Sequence, residues 1–152
     1  MIKIALASDH AGYTLRQYVA GHLKSKGVDI IEYGAVQEEK PESYVPAGQA
    51  ASKAVLDGKA ERAIVFCGTG LGISIVCNKH KGIRCALCTN EYMARMARVH
   101  NDANVLALGG RVIGKALAIS IVDAFFDGEF ESGGRHQMRV TEIAKHEDHE
   151  FS

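Results

Sequence analysis

A thiol, a hydroxyl and three glycines fall within six residues in Cys67-Gly68-Thr69-Gly70-Leu71-Gly72, which runs on into Ile73-Ser74. Glycines at alternate positions, where a strand pattern gives way to a helical one, bring bare N–H groups together at a helix N-terminus. Such a turn cradles an anion or an enolate oxygen. A dinucleotide fingerprint needs its third glycine where Ile73 stands, and a phosphate-binding P-loop needs Gly-Lys-Ser/Thr, so neither template fits. A helix N-terminus with converging donors favours thiolate chemistry, which makes Cys67 a candidate general base beside a stabilised oxyanion. The same residues also suit a covalent nucleophile partnered by His100 or His10, or a plain buried thiol in a glycine turn.

Other groups carry chemistry only in combination. Asp9-His10 follows an apolar run and opens a helical pattern, where the carboxylate also suits a simple cap. His100-Asn101-Asp102 ends a helical pattern, where an imidazole is electrostatically comfortable without any function. A helix C-terminus lies at the far edge of its own sheet, so His100 reaches a site at the near edge only from another subunit. Arg135 and Arg139, after Gly133-Gly134, are four residues apart on one helix face and suit either a solvated basic face or a phosphate grip. Gly109-Gly110-Arg111 offers a third guanidinium. His146 and His149, with Glu147, Asp148 and Glu150, read as a charged terminus, and no metal is assigned to them.

Five apolar runs must position these groups: Ile2 to Ala7, Val28 to Tyr33, Ala63 to Cys67, Ile83 to Cys88, and Val105 to Leu108. Their near-continuous apolarity reads as strands buried on both faces. Helical spacing fills the gaps. Leu15, Tyr18, Val19, His22 and Leu23 form one stripe before Gly27; Ala47, Ala50, Ala51, Ala54 and Val55 form another before Gly58. The small alanines imply close approach of that helix to its neighbours. A third helix is expected from about Leu71 to His80, and a fourth after an N-cap at Asn90. A fifth carries Ile113, Leu117, Ile121 and Phe125, and a basic-then-acidic helix follows from about His136. Strict alternation with short connections predicts an α/β fold, a three-layer α/β/α sandwich on a five-stranded parallel sheet with a C-terminal helix. Ligands in such folds sit at the carboxyl ends of the strands.

The chain of 152 residues suits one domain, residues 1–152, and hides roughly 70% of its unfolded surface. Lys plus Arg and Asp plus Glu both count 18, so nothing points to nucleic acid or an anionic membrane as partner. No apolar run reaches the roughly 20 residues of a membrane span, and a cytoplasmic location is expected. The cysteines Cys67, Cys77, Cys85 and Cys88 then stay reduced. Cys85 and Cys88 should point to opposite faces of a strand and serve as core filler.

Four ordered blocks carry a resemblance spanning nearly the whole chain. They are Ala7-Ser8-Asp9-His10-Ala11-Gly12, Cys67 to Ser74 with Asn78-Lys79, His100 to Leu106, and Gly133-Gly134-Arg135-His136-Gln137-Met138-Arg139-Val140. Together they resemble the ribose-5-phosphate isomerase B and galactose-6-phosphate isomerase group. The resemblance implies a Rossmann-like homodimer, or a pair of such dimers, with each active site shared between two subunits. It implies a sugar-phosphate substrate, an aldose–ketose isomerisation of carbohydrate metabolism, and no cofactor.

By resemblance Cys67 moves the proton between C1 and C2 of the opened sugar. Gly68, Gly70, Gly72 and Ser74 belong to the loop that holds the enediolate charge, and Thr69 shuttles a proton between the two oxygens. His100 of a second subunit, with Asp9, assists ring opening, and Asn101 binds sugar hydroxyls. His10, Arg135 and Arg139, with Arg111 arriving across the interface, take the phosphate. The family's Asp-Tyr-Pro-x-Tyr-Ala-like stretch reads here Ser43-Tyr44-Val45-Pro46-Ala47, a smaller wall that suits a hexose phosphate or a free sugar as alternative substrate. A sugar-phosphate-binding module without turnover is the non-enzymatic alternative. Against the galactose-6-phosphate reading, one subunit type of that enzyme lacks the Cys-Gly-Thr-Gly loop and the other lacks the terminal Gly-Gly-Arg-His. Both features are present here.

Overall fold

The computed structural model describes residues 2–151; Met1 and Ser152, the ends of the expected domain, lie outside the described residues. Five strands, β1 (Lys3–Ser8), β2 (Asp29–Gly34), β3 (Arg62–Cys67), β4 (Cys85–Leu87) and β5 (Val105–Gly109), alternate with helices. The helices are α1 (Tyr13–Ser25), α2 (Val45–Leu56), α3 (Leu71–Asn78), α4 (Glu91–Val99) and α5 (Lys115–Asp127), and α6 (Arg135–Glu150) follows. All strand pairs are parallel, as the alternation predicts, and the order is β2-β1-β3-β5-β4. The Asn90 side chain caps α4 by accepting the Met93 N–H at 2.9 Å.

Period-two alternation in the central strands separates two cores. Ile4, Leu6, Ile64, Phe66, Leu106 and Leu108 face α1, α4 and α5. Ala5, Ala7, Ala63, Val65, Val105 and Ala107 face α2 and α3. Each fully buried Ile, Leu or Phe contributes about 1.5–3 kcal/mol relative to exposure, so the first core supplies most of the anchoring. In the second, Ala47, Ala51 and Ala54 of α2 meet alanines of the sheet, the close approach that the small stripe implies.

The two outer strands depart from the reading of strands buried on both faces. β2 and β4 are the sheet edges, only partly covered, and β4 shortens to three residues. The Asn78 side chain closes the β4 edge as a neighbouring strand would: its Nδ2 donates to the Cys85 carbonyl at 3.0 Å and its Oδ1 accepts the Cys85 N–H at 2.8 Å. On α1 the stripe also shifts. Tyr18 is 46% exposed, one step round the helix from buried Val19, and Arg16 is buried instead. Its Nη1 donates to Ser8 Oγ and the Tyr33 carbonyl and its Nη2 to the Ala35 carbonyl, tying together the carboxyl ends of β1 and β2. Cys85 and Cys88 do face opposite cores, and all four cysteines are free. Burial pushes the Cys88 thiol up to about 11, well away from thiolate chemistry at neutral pH.

Candidate active site

β1 and β3 are neighbours whose following helices leave on opposite faces, so a crevice opens between their carboxyl ends. Ser8 pairs with Phe66 in the register, and the Asp9 N–H donates to the Phe66 carbonyl at 3.3 Å, which brings Asp9 and Cys67 side by side. Cys67 is 3% exposed and its Sγ accepts the Gly70 N–H at 3.2 Å. Gly70 holds the left-handed conformation at φ 80°; a Cβ there would come within 2.6 Å of Leu87 and 3.0 Å of the Leu108 carbonyl carbon. The turn is therefore reserved for glycine. Among the described residues, the N–H groups of Thr69 and Gly72 have no partner within the chain, and α3 begins beneath them, as an anion cradle requires.

Neighbouring loops lock this turn. The Gly110 and Arg111 N–H groups donate to the Cys67 and Gly68 carbonyls at 2.8 and 2.9 Å, and a Cβ on Gly110 would lie 2.6 Å from the Ala11 carbonyl oxygen. Thr69 Oγ1 accepts the Leu71 N–H at 3.1 Å. The Ser74 hydroxyl is turned back onto the Leu71 carbonyl at 2.7 Å, so it is less free than Thr69 to meet a ligand. Asp9 is 5% exposed and accepts the Gly12 N–H at 2.9 Å, closing the turn before α1, whose N-cap is Gly12 and not Asp9. His10 Nδ1 lies 3.0 Å from the Glu42 N and 3.3 Å from the Glu42 carbonyl oxygen, so the Glu42 backbone holds the ring through this nitrogen. His10, Thr14, Glu38, Glu39, Arg111 and Lys115 line one cavity of about 630 Å³.

Arg111 was expected to arrive from across an interface, and the fold corrects this. β5 lies next to β3, so the loop after β5 packs on the Cys67 turn of its own chain. Of the smaller wall, Ala47 is buried in the alanine core and Ser43 Oγ accepts the Val45 N–H at 3.1 Å. Tyr44 supplies the surface here, its ring lying directly over Gly72, where a Cβ would meet Cζ at 2.4 Å.

The remaining expected residues gather at the opposite, amino edge of the sheet. His100 caps the C-terminus of α4, and its imidazole stacks on that of His136 in α6, with ring centroids 3.8 Å apart and planes 10° from parallel. The turn that follows is held by two arginines that the sequence reading missed. Arg84 donates to the Asn101 and Asp102 carbonyls, while Arg98 Nη1 donates to Asp102 Oδ1 at 2.9 Å and to the Ala103 carbonyl at 2.7 Å. The i,i+4 spacing of Arg98 and Asp102 was the available signal. Asp102, at φ 46°, is the one non-glycine residue with positive φ among the described residues. Arg135 and Arg139 flank His136, exposed and without a carboxylate partner among the described residues. Burial lowers the pKa of His136, helped by His100, Arg135 and Arg139 and opposed by Glu131.

A larger cavity of about 760 Å³ lies between α6 and β4 and includes Asn101, but it contains no residue of the Cys67 turn. His100, Glu131 and His136 bring their ligand atoms within 4.8 Å of one another. Two parallel imidazoles cannot both hold one ion in their ring planes, so the stack does not form a metal centre as it stands. In the acidic tail Glu147 accepts the Gly82 N–H at 2.9 Å and Asp148 pairs with Lys81, which gives both carboxylates structural partners.

Residues 4–143 match the family described as Ribose/Galactose Isomerase. The chain belongs to the ribose/galactose isomerase family. Within it, the chain is 46% identical to ribose-5-phosphate isomerase B of Escherichia coli over 143 residues, 94% of this chain and 95% of that protein. It superposes on the ribose-5-phosphate isomerase B of Clostridium thermocellum with a TM-score of 0.95 at 50% identity, covering 99% of this chain and 100% of that one. A crystal structure of the Mycoplasma genitalium enzyme of the same name, with bound ribulose 5-phosphate, matches with a TM-score of 0.90 at 36% identity. It covers 97% of each chain. No helix among the described residues is long and apolar enough to cross a membrane.

Proposed function

We propose that this chain is an aldose–ketose isomerase interconverting ribose 5-phosphate and ribulose 5-phosphate, folded as a single isomerase domain and acting in the pentose phosphate pathway of the cytoplasm. The observation that carries the proposal is the buried Cys67 thiol beside Asp9 in the β1/β3 crevice, at the mouth of a glycine turn with unpartnered N–H groups. Cys67 takes the proton from C2 of the opened aldose and returns it to C1, and the reverse reaction runs the same transfer backwards. Between the two steps the negative charge of the enediolate rests against the N–H groups of the turn, which stabilise charge best where water is excluded. Thr69 moves the hydroxyl proton between O1 and O2. His10 and Arg111, which share one cavity, take the phosphate.

His100, Asn101, Arg135 and Arg139 complete the site from a second copy of the chain. Two observations support this. His100 and Cys67 sit at opposite edges of one sheet, and Leu71, Ile75, Tyr92 and Met93 expose apolar surface on the two helices beside the β4 edge. A homodimer with two shared sites buries such surface and brings the edges together. No cofactor is needed, because the thiol and the anion cradle supply the base and the charge stabilisation.

Incubation with ribulose 5-phosphate in deuterated water should place deuterium at C1, and Cys67→Ala should abolish it together with turnover. Full activity in that variant would remove Cys67 as the base. Across ribose 5-phosphate, allose 6-phosphate, galactose 6-phosphate and free aldoses, kcat/KM should be highest for ribose 5-phosphate. Saturable binding without turnover of any of these sugars would point to a binding module instead.

A further inference from the structure

The backbone around His100 is held from several sides, but its side chain is not. Arg84 and Arg98 fix the Asn101–Ala103 turn. The Glu131 N–H bonds the Val99 carbonyl at 3.1 Å, and the His100 N–H bonds that of Met96 at 2.8 Å. Among the described residues, neither the His100 nor the His136 imidazole makes a hydrogen bond with the chain. What fixes the plane of the His100 ring is the flat face of His136, 3.8 Å away and itself 8% exposed.

We propose that His136 is a positioning residue for His100, its buried ring acting as a platform that keeps the neighbouring imidazole in the orientation from which it delivers a proton to the ring oxygen of the cyclic sugar. The inference rests on the reading of His100 as the ring-opening group. Glu131, 3.8 Å from His136 Nε2, faces the platform from the loop before α6, and Arg135 and Arg139 flank it along that helix. His136 favours its neutral form, which suits the role. A neutral aromatic face attracts a protonated neighbour, whereas two stacked cations would repel.

The test uses the fact that ribulose 5-phosphate, with its C5 hydroxyl esterified, has no five-membered ring to open. His136→Leu fills the same space without a flat face; His136→Phe restores the face without a titrating group. In His136→Leu, consumption of ribose 5-phosphate should fall on the order of tenfold or more, the usual cost of a misplaced catalytic group. Deuterium wash-in at C1 of ribulose 5-phosphate should stay within about twofold of the unmodified protein. His136→Phe should recover most of the lost rate, and matched melting temperatures would separate the effect from unfolding. Equal loss of both reactions in His136→Leu, or no loss of either, would overturn the platform role. Absence of wash-in in the unmodified protein would remove the isomerase reading itself and this inference with it.

Discussion

Arg111 is anchored through its own backbone to the Gly68 carbonyl, and its guanidinium passes so close that a Cβ on Gly68 would lie 3.5 Å from Nη1. A guanidinium so placed beside His10 suits the phosphorylated end of a short sugar whose reacting carbons lie at Cys67. Charge-assisted hydrogen bonds are worth about 1.5–3 kcal/mol, so Arg111→Ala should raise KM for ribose 5-phosphate by roughly tenfold to a hundredfold and leave kcat within a few-fold. Inhibition by inorganic phosphate should weaken in parallel. Arg111→Lys should recover only part of the affinity, because an ammonium cannot make the bidentate contact. A fall in kcat at unchanged KM would contradict a phosphate role. At this scale the Cys67 turn was legible, because its glycines and thiol are contiguous. The side from which Arg111 approaches was not, since the 43 residues between Cys67 and Arg111 say nothing about which strand lies next to β3.

Among the elements, β4 depends most on a single side chain. Asn78→Ala would leave the Cys85 N–H and carbonyl without their partners. Both bonds are solvent-exposed, so their loss costs about 0.5–1.5 kcal/mol each, which for a chain of this size lowers the melting temperature by roughly 2–4 °C per kcal/mol. Amide exchange at Cys85 should quicken at the same time, whereas an unchanged melting curve would mean that the edge is closed by something other than the amide. The five strands and their helices were readable from apolar runs and periodicity. Their order was not: Asp29 and Glu32 set Val28 to Tyr33 apart from the uncharged runs Ala63 to Cys67 and Val105 to Leu108, but Ile83 to Cys88, with one charge, is as apolar as Ile2 to Ala7. A strand at an edge still buries one face against a helix, and apolarity alone does not count its neighbours. His22 shows a related limit: its place in the α1 stripe reflects a partner, Asp123, 101 residues away. Burial alone would raise the Asp123 carboxyl, but hydrogen bonds and charge from His22 and Lys26 outweigh it and lower its pKa.

For the whole molecule, the proposal to test is that copies share their sites. Cys67→Ala and His100→Ala should each be inactive, yet mixing them under conditions that let subunits exchange should restore activity. A statistical mixture is half heterodimer, each with one intact site, so recovery should approach roughly a quarter of the unmodified rate. No recovery after demonstrated exchange would mean that each site is complete within one chain. The proposed second copy was readable from the sequence only as a conflict, a helix-terminal histidine on the wrong edge for the loop that it should serve. Its partner His136 was hidden, since a stack between residues 36 apart leaves no periodic trace. Opposite placement of thiol and imidazole also bears on how the protein behaves as a reagent. On the proposed sharing of sites, a lone subunit carries both halves of the apparatus in positions that do not face each other, so turnover per milligram should not be a constant of the chain. It should fall once a solution is diluted past the point where subunits part, and return only as fast as they meet again.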